Sequence, residues 1–213
     1  MGRAITGRRN DVIIQSKMQL EYSELTFGGN GKRGSKEMMT ILSDKLNTSL
    51  NALNTSYIDM MLYHDASDES LLFHPATQKF FDDMKSAGTI KAMGFSTHND
   101  CMNLIARNNR EGFYDIIMVP FNHKGAYTHS VNGSFSEWEQ DKLIGLLTEA
   151  SEKGKGIVVM KTCSGGPFSP EPGRSPNYYE PVKWVLQHKF ISAAAVAMAS
   201  FEQVDEHLPL LIQ

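Results

Sequence analysis

The feature that most constrains this chain is a repeated alternation of short β-rich runs with segments of helical period. The runs fall at 11–16 (DVIIQS), 57–63, 89–95 (TIKAMGF), 114–119 (YDIIMV), 156–161 (GIVVMK) and 191–197 (ISAAAVA). Between the first two, Met39, Leu42, Leu46, Leu50 and Leu53 recur three or four apart and predict one apolar stripe over 36–54. Further helices are predicted at about 71–87, 99–109, 137–152, 177–188 and 201–211, with Ser35 and Asn177 as N-caps and Gly88 and Gly154 as C-terminal stops. Near-continuous apolar strands separated by helices imply a parallel sheet with covered faces. Spacing alone leaves a doubly wound sheet and a (β/α)8 barrel equally open.

In either architecture, chemistry sits at the carboxyl ends of the strands. Those ends read Lys17; His64 with Asp65; Ser96, Thr97 and His98; Asn122 and His123; and Lys161 with Thr162, the last strand leading to Ser200 and Gln203. In a closed barrel such ends converge on one pocket, so the recurrence of polar groups favours the barrel. Taken singly, each has a plainer role. A lysine ending a strand is usually solvated, a lone histidine usually belongs to a satisfied loop, and Ser96 with Thr97 could cap the next helix.

Composition narrows the functional classes. The net charge is −3, which gives no polyanion-binding surface and argues against nucleic acid as a partner. No apolar run reaches the ~18 residues of a membrane-spanning helix. Two cysteines, Cys101 and Cys163, are too few for a disulfide framework or a structural metal site, and suit reduced thiols in a cytoplasmic protein. "GNGKRG", Gly29 to Gly34, fits the dinucleotide fingerprint, but "QLEYSELTFG" separates it from the preceding strand, so a βα loop is the better reading. "CSGGPFSPEPGRSP", 163–176, is a loop that could cover a ligand.

The succession "GRAITGRRNDVIIQSK", "SLNALNTSYIDMMLYHD", "KSAGTIKAMGFSTHN", "GKGIVVMKTCSGG" and "WVLQHKFISAAAVAMASFEQVDEHL" resembles the aldo-keto reductase family over about residues 1 to 210. "GFSTHN" and "VVMK…GG" are closest to a bacterial and archaeal branch of it. The resemblance implies an α/β fold, a (β/α)8 TIM-type barrel, and NADP(H)- or NAD(H)-dependent reduction of a small carbonyl substrate. Carried over by position, it makes Lys17 and His64 catalytic. It gives Ser96 and Thr97 to the nicotinamide carboxamide, the loop of Ser164, Gly165 and Gly166 to the phosphates, and Ser200 to Gln203 to the adenosine.

The chain also departs from the family. The aspartate and the proton-donating tyrosine expected after the second barrel strand are not in this sequence, and "MGRAITGRRN" reads like the end of the second helix. About six of eight β–α units are visible, in one domain over 1–213. The resemblance therefore implies an N-terminally truncated barrel, weakly active by itself, a fragment of a longer reductase, or a barrel that binds nicotinamide without catalysis. Its open edges would invite self-association. Tyr22 is the nearest substitute for the tyrosine, and His64 could itself supply a proton. Met118 and Met160 replace a glutamine and a ring-stacking tyrosine, and no Lys or Arg stands at Ala197, Met198 or Gln203 to hold a 2′-phosphate. A third reading takes His64, His98 and His123 as zinc ligands of a hydrolase, although no His-x-His pair supports it.

Overall fold

The computed structural model describes residues 2–21, 34–98, 101–129 and 133–211. By compactness the chain divides into two units, Met1–Asp100 with Glu111–Ile117, and Cys101–Arg110 with Met118–Gln213.

In the first unit, β1 (Gln15–Met18), β2 (Ile58–Tyr63) and β3 (Ile90–Ser96) lie side by side and parallel. Lys17 pairs with Leu62, and Leu62 with Gly94. The start of β4 (Ile116–Pro120) follows a hydrogen bond from Asp115 N–H to the Met93 carbonyl, 2.8 Å. β1 begins later than the β-branched run 12–14 suggests. Side chains take up part of its backbone: Arg9 donates to the Val12 carbonyl and the Asp59 carboxylate accepts from Ile14 N–H, while the Ile14 carbonyl already accepts from Met60 N–H of β2 at 3.0 Å. Arg9 also reaches Asp59 at 2.7 Å and lies over the Tyr57 ring.

α1 (Ser35–Leu53) buries Met38, Leu42 and Leu46, so its inner stripe is set by Met38 rather than Met39. Its N-cap is Gly34, with Ser35 already inside the helix. The helix predicted at 71–87 is two, α2 (Glu69–Leu72) and α3 (Pro75–Ser86). Proline at the first helical position forbids a continuous ladder there, and His74 caps the new start by accepting from Ala76 N–H. The buried centre is Tyr114, edge-on to Phe73, Phe81, Phe95 and Phe113, its hydroxyl donating to the Leu72 carbonyl at 2.5 Å. Gly94 permits this packing, because a Cβ there would lie 2.3 Å from the Ile116 carbonyl oxygen.

In the second unit, the end of β4 meets β7 (Gly156–Met160) through Phe121 N–H and the Met160 carbonyl, 2.9 Å. β7 pairs in parallel with β8 (Ala193–Ala194). An antiparallel hairpin, β5 (Ala126–Thr128) with β6 (Phe135–Glu137), sits between β4 and α5 (Gln140–Glu152), where the sequence predicts no strand. α4 (Cys101–Glu111), α6 (Tyr179–Leu186) and α7 (Phe201–His207) complete the alternation. The N-cap of α6 is Tyr178 rather than Asn177, although the Asn177 side-chain oxygen, one residue earlier, accepts from Glu180 N–H at 2.8 Å. Leu143, Leu147, Ile157, Val159 and Val185 are fully buried, and Phe121 stacks on Trp184. No helix among the described residues is long and apolar enough to cross a membrane.

Candidate active site

The end of β2 carries the first group of interest. His64 follows the strand directly, and its backbone N–H donates to the Met18 carbonyl at 2.7 Å, extending the ladder by one residue. That bond brings the imidazole to the neighbourhood of Lys17 on β1. Both side chains are half-buried. Burial holds His64 below its ordinary pKa and the Lys17 charge lowers it further, against smaller opposing effects of Asp65 and Glu21. His64 is therefore a neutral imidazole at neutral pH. The next residue, Asp65, turns the chain with φ +47°, a left-handed conformation that non-glycine residues rarely adopt.

Lys17, Gln19 and His64 form one side of an open recess of about 310 Å³, and Lys45, Thr48 and Ser49 of α1 form another. The three α1 residues are spaced i, i+3, i+4 and so share a helical face. Reasoning confined to strand ends misses them; the signal that could have found them is a polar side to α1 beside its apolar stripe. Tyr22, which the sequence offers as an alternative proton donor, lies outside the described residues, as do Gly29 to Arg33 of the glycine-rich loop.

Ser96 and Thr97 end β3 and are fully buried. The Ser96 carbonyl accepts from Ala66 N–H at 2.8 Å, tying this strand end to the turn after His64. Among the described residues the Ser96 hydroxyl has no hydrogen-bond partner.

The remaining candidates lie in the second unit. Lys161, φ +60°, ends β7; Ser164 N–H then donates to its carbonyl, and Gly166 N–H to that of Cys163. Gly165 has no room for a side chain, since a Cβ would stand 2.9 Å from Asn122 Oδ1 and 3.0 Å from His123 Cε1. Asn122 is a fully buried junction, its amide donating to the carbonyls of Ala126 (2.9 Å) and Lys161 (3.2 Å). Ser200 caps α7 by accepting from Gln203 N–H. Gln203 lines a pocket of about 190 Å³ with Cys163, Tyr178, Ala197, Glu206 and His207. Burial pushes the Cys163 thiol up, which makes it a poor nucleophile.

The model of the aldo/keto reductase family matches residues 1–208. This chain belongs to the aldo/keto reductase family.

Solved structures of the same fold include an aldo-keto reductase from Bacillus halodurans in its holo form, 19% identical, with TM-score 0.70, covering 100% of this chain and 71% of the other. Another is an aldo-keto reductase from Klebsiella pneumoniae in complex with NADPH, 18% identical, with TM-score 0.66, covering 100% and 68%. No curated protein sequence matches significantly. These likenesses give the fold, an α/β architecture of the (β/α)8 TIM type, and family membership makes the protein an oxidoreductase. Among the described residues, no three His, Cys, Asp or Glu side chains stand together as a metal site would need.

Proposed function

We propose that this family member reduces an aldehyde or ketone to the alcohol with a nicotinamide dinucleotide, NADP(H) or NAD(H), and that Lys17 and His64 act on the carbonyl oxygen. The observation that carries this reading is the pair itself, a neutral imidazole beside an ammonium in one recess, on a chain of this family. A nicotinamide, when bound, supplies a hydride to the carbonyl carbon. His64 keeps an N–H that can donate to the carbonyl oxygen as it gains negative charge, and Lys17 adds a positive charge to the same neighbourhood. The hydride on carbon and one proton on oxygen convert the carbonyl to the alcohol.

Ser96 and Thr97 fit the role of holding the carboxamide. A buried hydroxyl without a partner is costly, and a ligand amide would satisfy it. The turn of Ser164, Gly165 and Gly166 is assigned to the phosphates, and Ser200 with Gln203 to the adenosine. The Klebsiella pneumoniae relative bound to NADPH supports a dinucleotide of this class.

Among the described residues, the recess lining contains neither a phenol nor a carboxylic acid. With His64 neutral and able only to donate a hydrogen bond, turnover by this chain by itself is slow, since a positioned acid typically contributes about 10²–10⁴-fold. The same observation favours a second reading, a barrel that binds nicotinamide without catalysis. We read residues 1–213 as one domain in a cytoplasmic setting. Self-association through the outer edges of β1 and β8 also belongs to this reading, as both stand at ends of the strand order.

The test is turnover of a reactive aromatic aldehyde with NADPH and with NADH, beside fluorescence titration of each nucleotide. Slow turnover abolished by His64→Ala and Lys17→Met supports the first reading. Nucleotide binding without turnover supports the second, and loss of both overturns them together.

A further inference from the structure

Resting on the assignment of the Ser164–Gly166 turn to the phosphates, we infer that Lys124, with the imidazole of His123 beside it, forms the facing wall of that site and holds the pyrophosphate of the dinucleotide. His123 and Lys124 follow β4, the turn follows β7, and both segments belong to the second unit. Two glycines let the segments meet. A Cβ on Gly165 would stand 3.0 Å from His123 Cε1, and one on Gly166 would lie 3.8 Å from Lys124 Nζ. Cε1 is the ring atom bonded to both nitrogens, so the nitrogen-bearing end of the imidazole is the part nearest Gly165.

Three donors without partners gather there. Both ring nitrogens of His123 are buried, and neither has a hydrogen bond among the described residues. Burial, helped by the Lys124 charge, keeps the ring neutral at neutral pH, so one nitrogen still carries a proton to donate. Gly165 is buried, and its N–H makes no hydrogen bond among the described residues. The N–H groups of Ser164 and Gly166 are by contrast used within the turn, on the carbonyls of Lys161 and Cys163. The Lys124 ammonium makes no ion pair or hydrogen bond among the described residues. Buried donors are seldom left unmade, and a backbone amide beside an ammonium is suited to an anion. Asn122 Oδ1, 2.9 Å from the place of a Gly165 Cβ, is an acceptor that already takes Lys124 N–H at 3.0 Å. The Glu206 carboxylate, whose charge reaches Cys163, is engaged by Tyr178 and Tyr179 N–H at 3.2 Å. Phe168 stacks on the His123 ring, 4.0 Å between centroids, and fixes its plane. Pyrophosphate is common to NAD(H) and NADP(H), so Lys124 strengthens both without choosing between them.

The test is a titration of inorganic pyrophosphate, NADH and NADPH into the 15N-labelled chain. Pyrophosphate should shift the amides of Lys124, Gly165 and Gly166. Lys124→Gln should weaken all three ligands by a similar factor of about five at low ionic strength, the scale of one exposed ion pair. Lys124→Arg should retain the affinity. The difference between Lys124→Gln and the parent should vanish in 1 M salt, where charges are screened beyond about 3 Å. Unchanged affinities in Lys124→Gln would overturn the assignment, and so would a loss confined to NADPH, which would move the lysine to the 2′-phosphate. Pyrophosphate held through Lys124 with neither nucleotide bound sinks the dinucleotide reading and leaves the anion site standing. Nucleotide binding indifferent to Lys124 does the reverse.

Discussion

The backbone N–H of His64 donates to the carbonyl of Met18 at 2.7 Å, and through this bond an imidazole at the end of one strand stands beside the lysine of the next. The first expectation concerns its titration. His64 is held below 6.5 chiefly by burial and secondarily by Lys17. Lys17→Met should therefore raise the His64 pKa part of the way back, as read from the imidazole proton shifts in NMR. A His64 that titrates at or above 6.5 in the unsubstituted protein would contradict the environment described.

The same shift predicts how stability depends on pH. His64 and His123 are both lowered in the folded chain, so the unfolded state binds more protons just below pH 6.5. Stability should be fully present above 6.5 and fall as pH drops from 6.5 through the folded pKa values. Urea midpoints measured between about pH 7.5 and 5 should show this slope, and His64→Gln should remove part of it.

Ser96→Ala separates folding from binding. The hydroxyl is buried without a partner among the described residues, so its removal should leave the stability of the nucleotide-free chain unchanged or slightly higher. Nucleotide affinity should fall by about fivefold, the scale of one lost hydrogen bond. A destabilised variant with unchanged affinity would assign the hydroxyl to the core instead.

Gly94→Ala should be among the most damaging single-methyl changes in the chain. The added carbon would meet the Ile116 carbonyl at 2.3 Å and the side chains of Ile116 and Leu62 at 2.7 Å. Overpacking of this kind costs about 1–3 kcal/mol, and more where backbone is the obstacle. Chemical denaturation should show a midpoint well below that of the parent.

Asp65 offers a milder test of the turn that follows His64. At φ +47° an aspartate is tolerated and a β-branched residue is not. Asp65→Val should cost about 1–2 kcal/mol, while Asp65→Gly should be close to neutral, its relief of strain offset by chain entropy. Equal stabilities for both would show that the turn relaxes.

The sequence carried the β–α alternation well, because buried strands such as 156–160 are apolar on both faces, and 58–63 is interrupted only by Asp59. It misplaced β1, since Val12, Ile13 and Ile14 look like strand yet Ile13 is 76% exposed and the segment is tied to Arg9 and Asp59. It gave no sign of the β5–β6 hairpin, whose three-residue strands are too short to show a period. Lys17 and His64 were legible as polar residues closing apolar runs of sequence, although Lys17 lies inside β1, whose residues are QSKM. Lys45 was not, because a helical lysine looks the same whether it faces water or a recess. Asn122 reads in the sequence as one more polar strand end, and its two carbonyl partners become visible only in the structure.

That junction has a consequence for the ageing of the protein. Deamidation of Asn122 would exchange the nitrogen that serves the Ala126 and Lys161 carbonyls for a carboxylate oxygen that repels both. A single spontaneous chemical event would then release the hairpin and the turn after β7 together. Full burial keeps the amide in one conformation, so the lesion should accumulate only as fast as this region opens. The rate at which stored samples gain one negative charge at this position would thus serve as a slow clock of local unfolding.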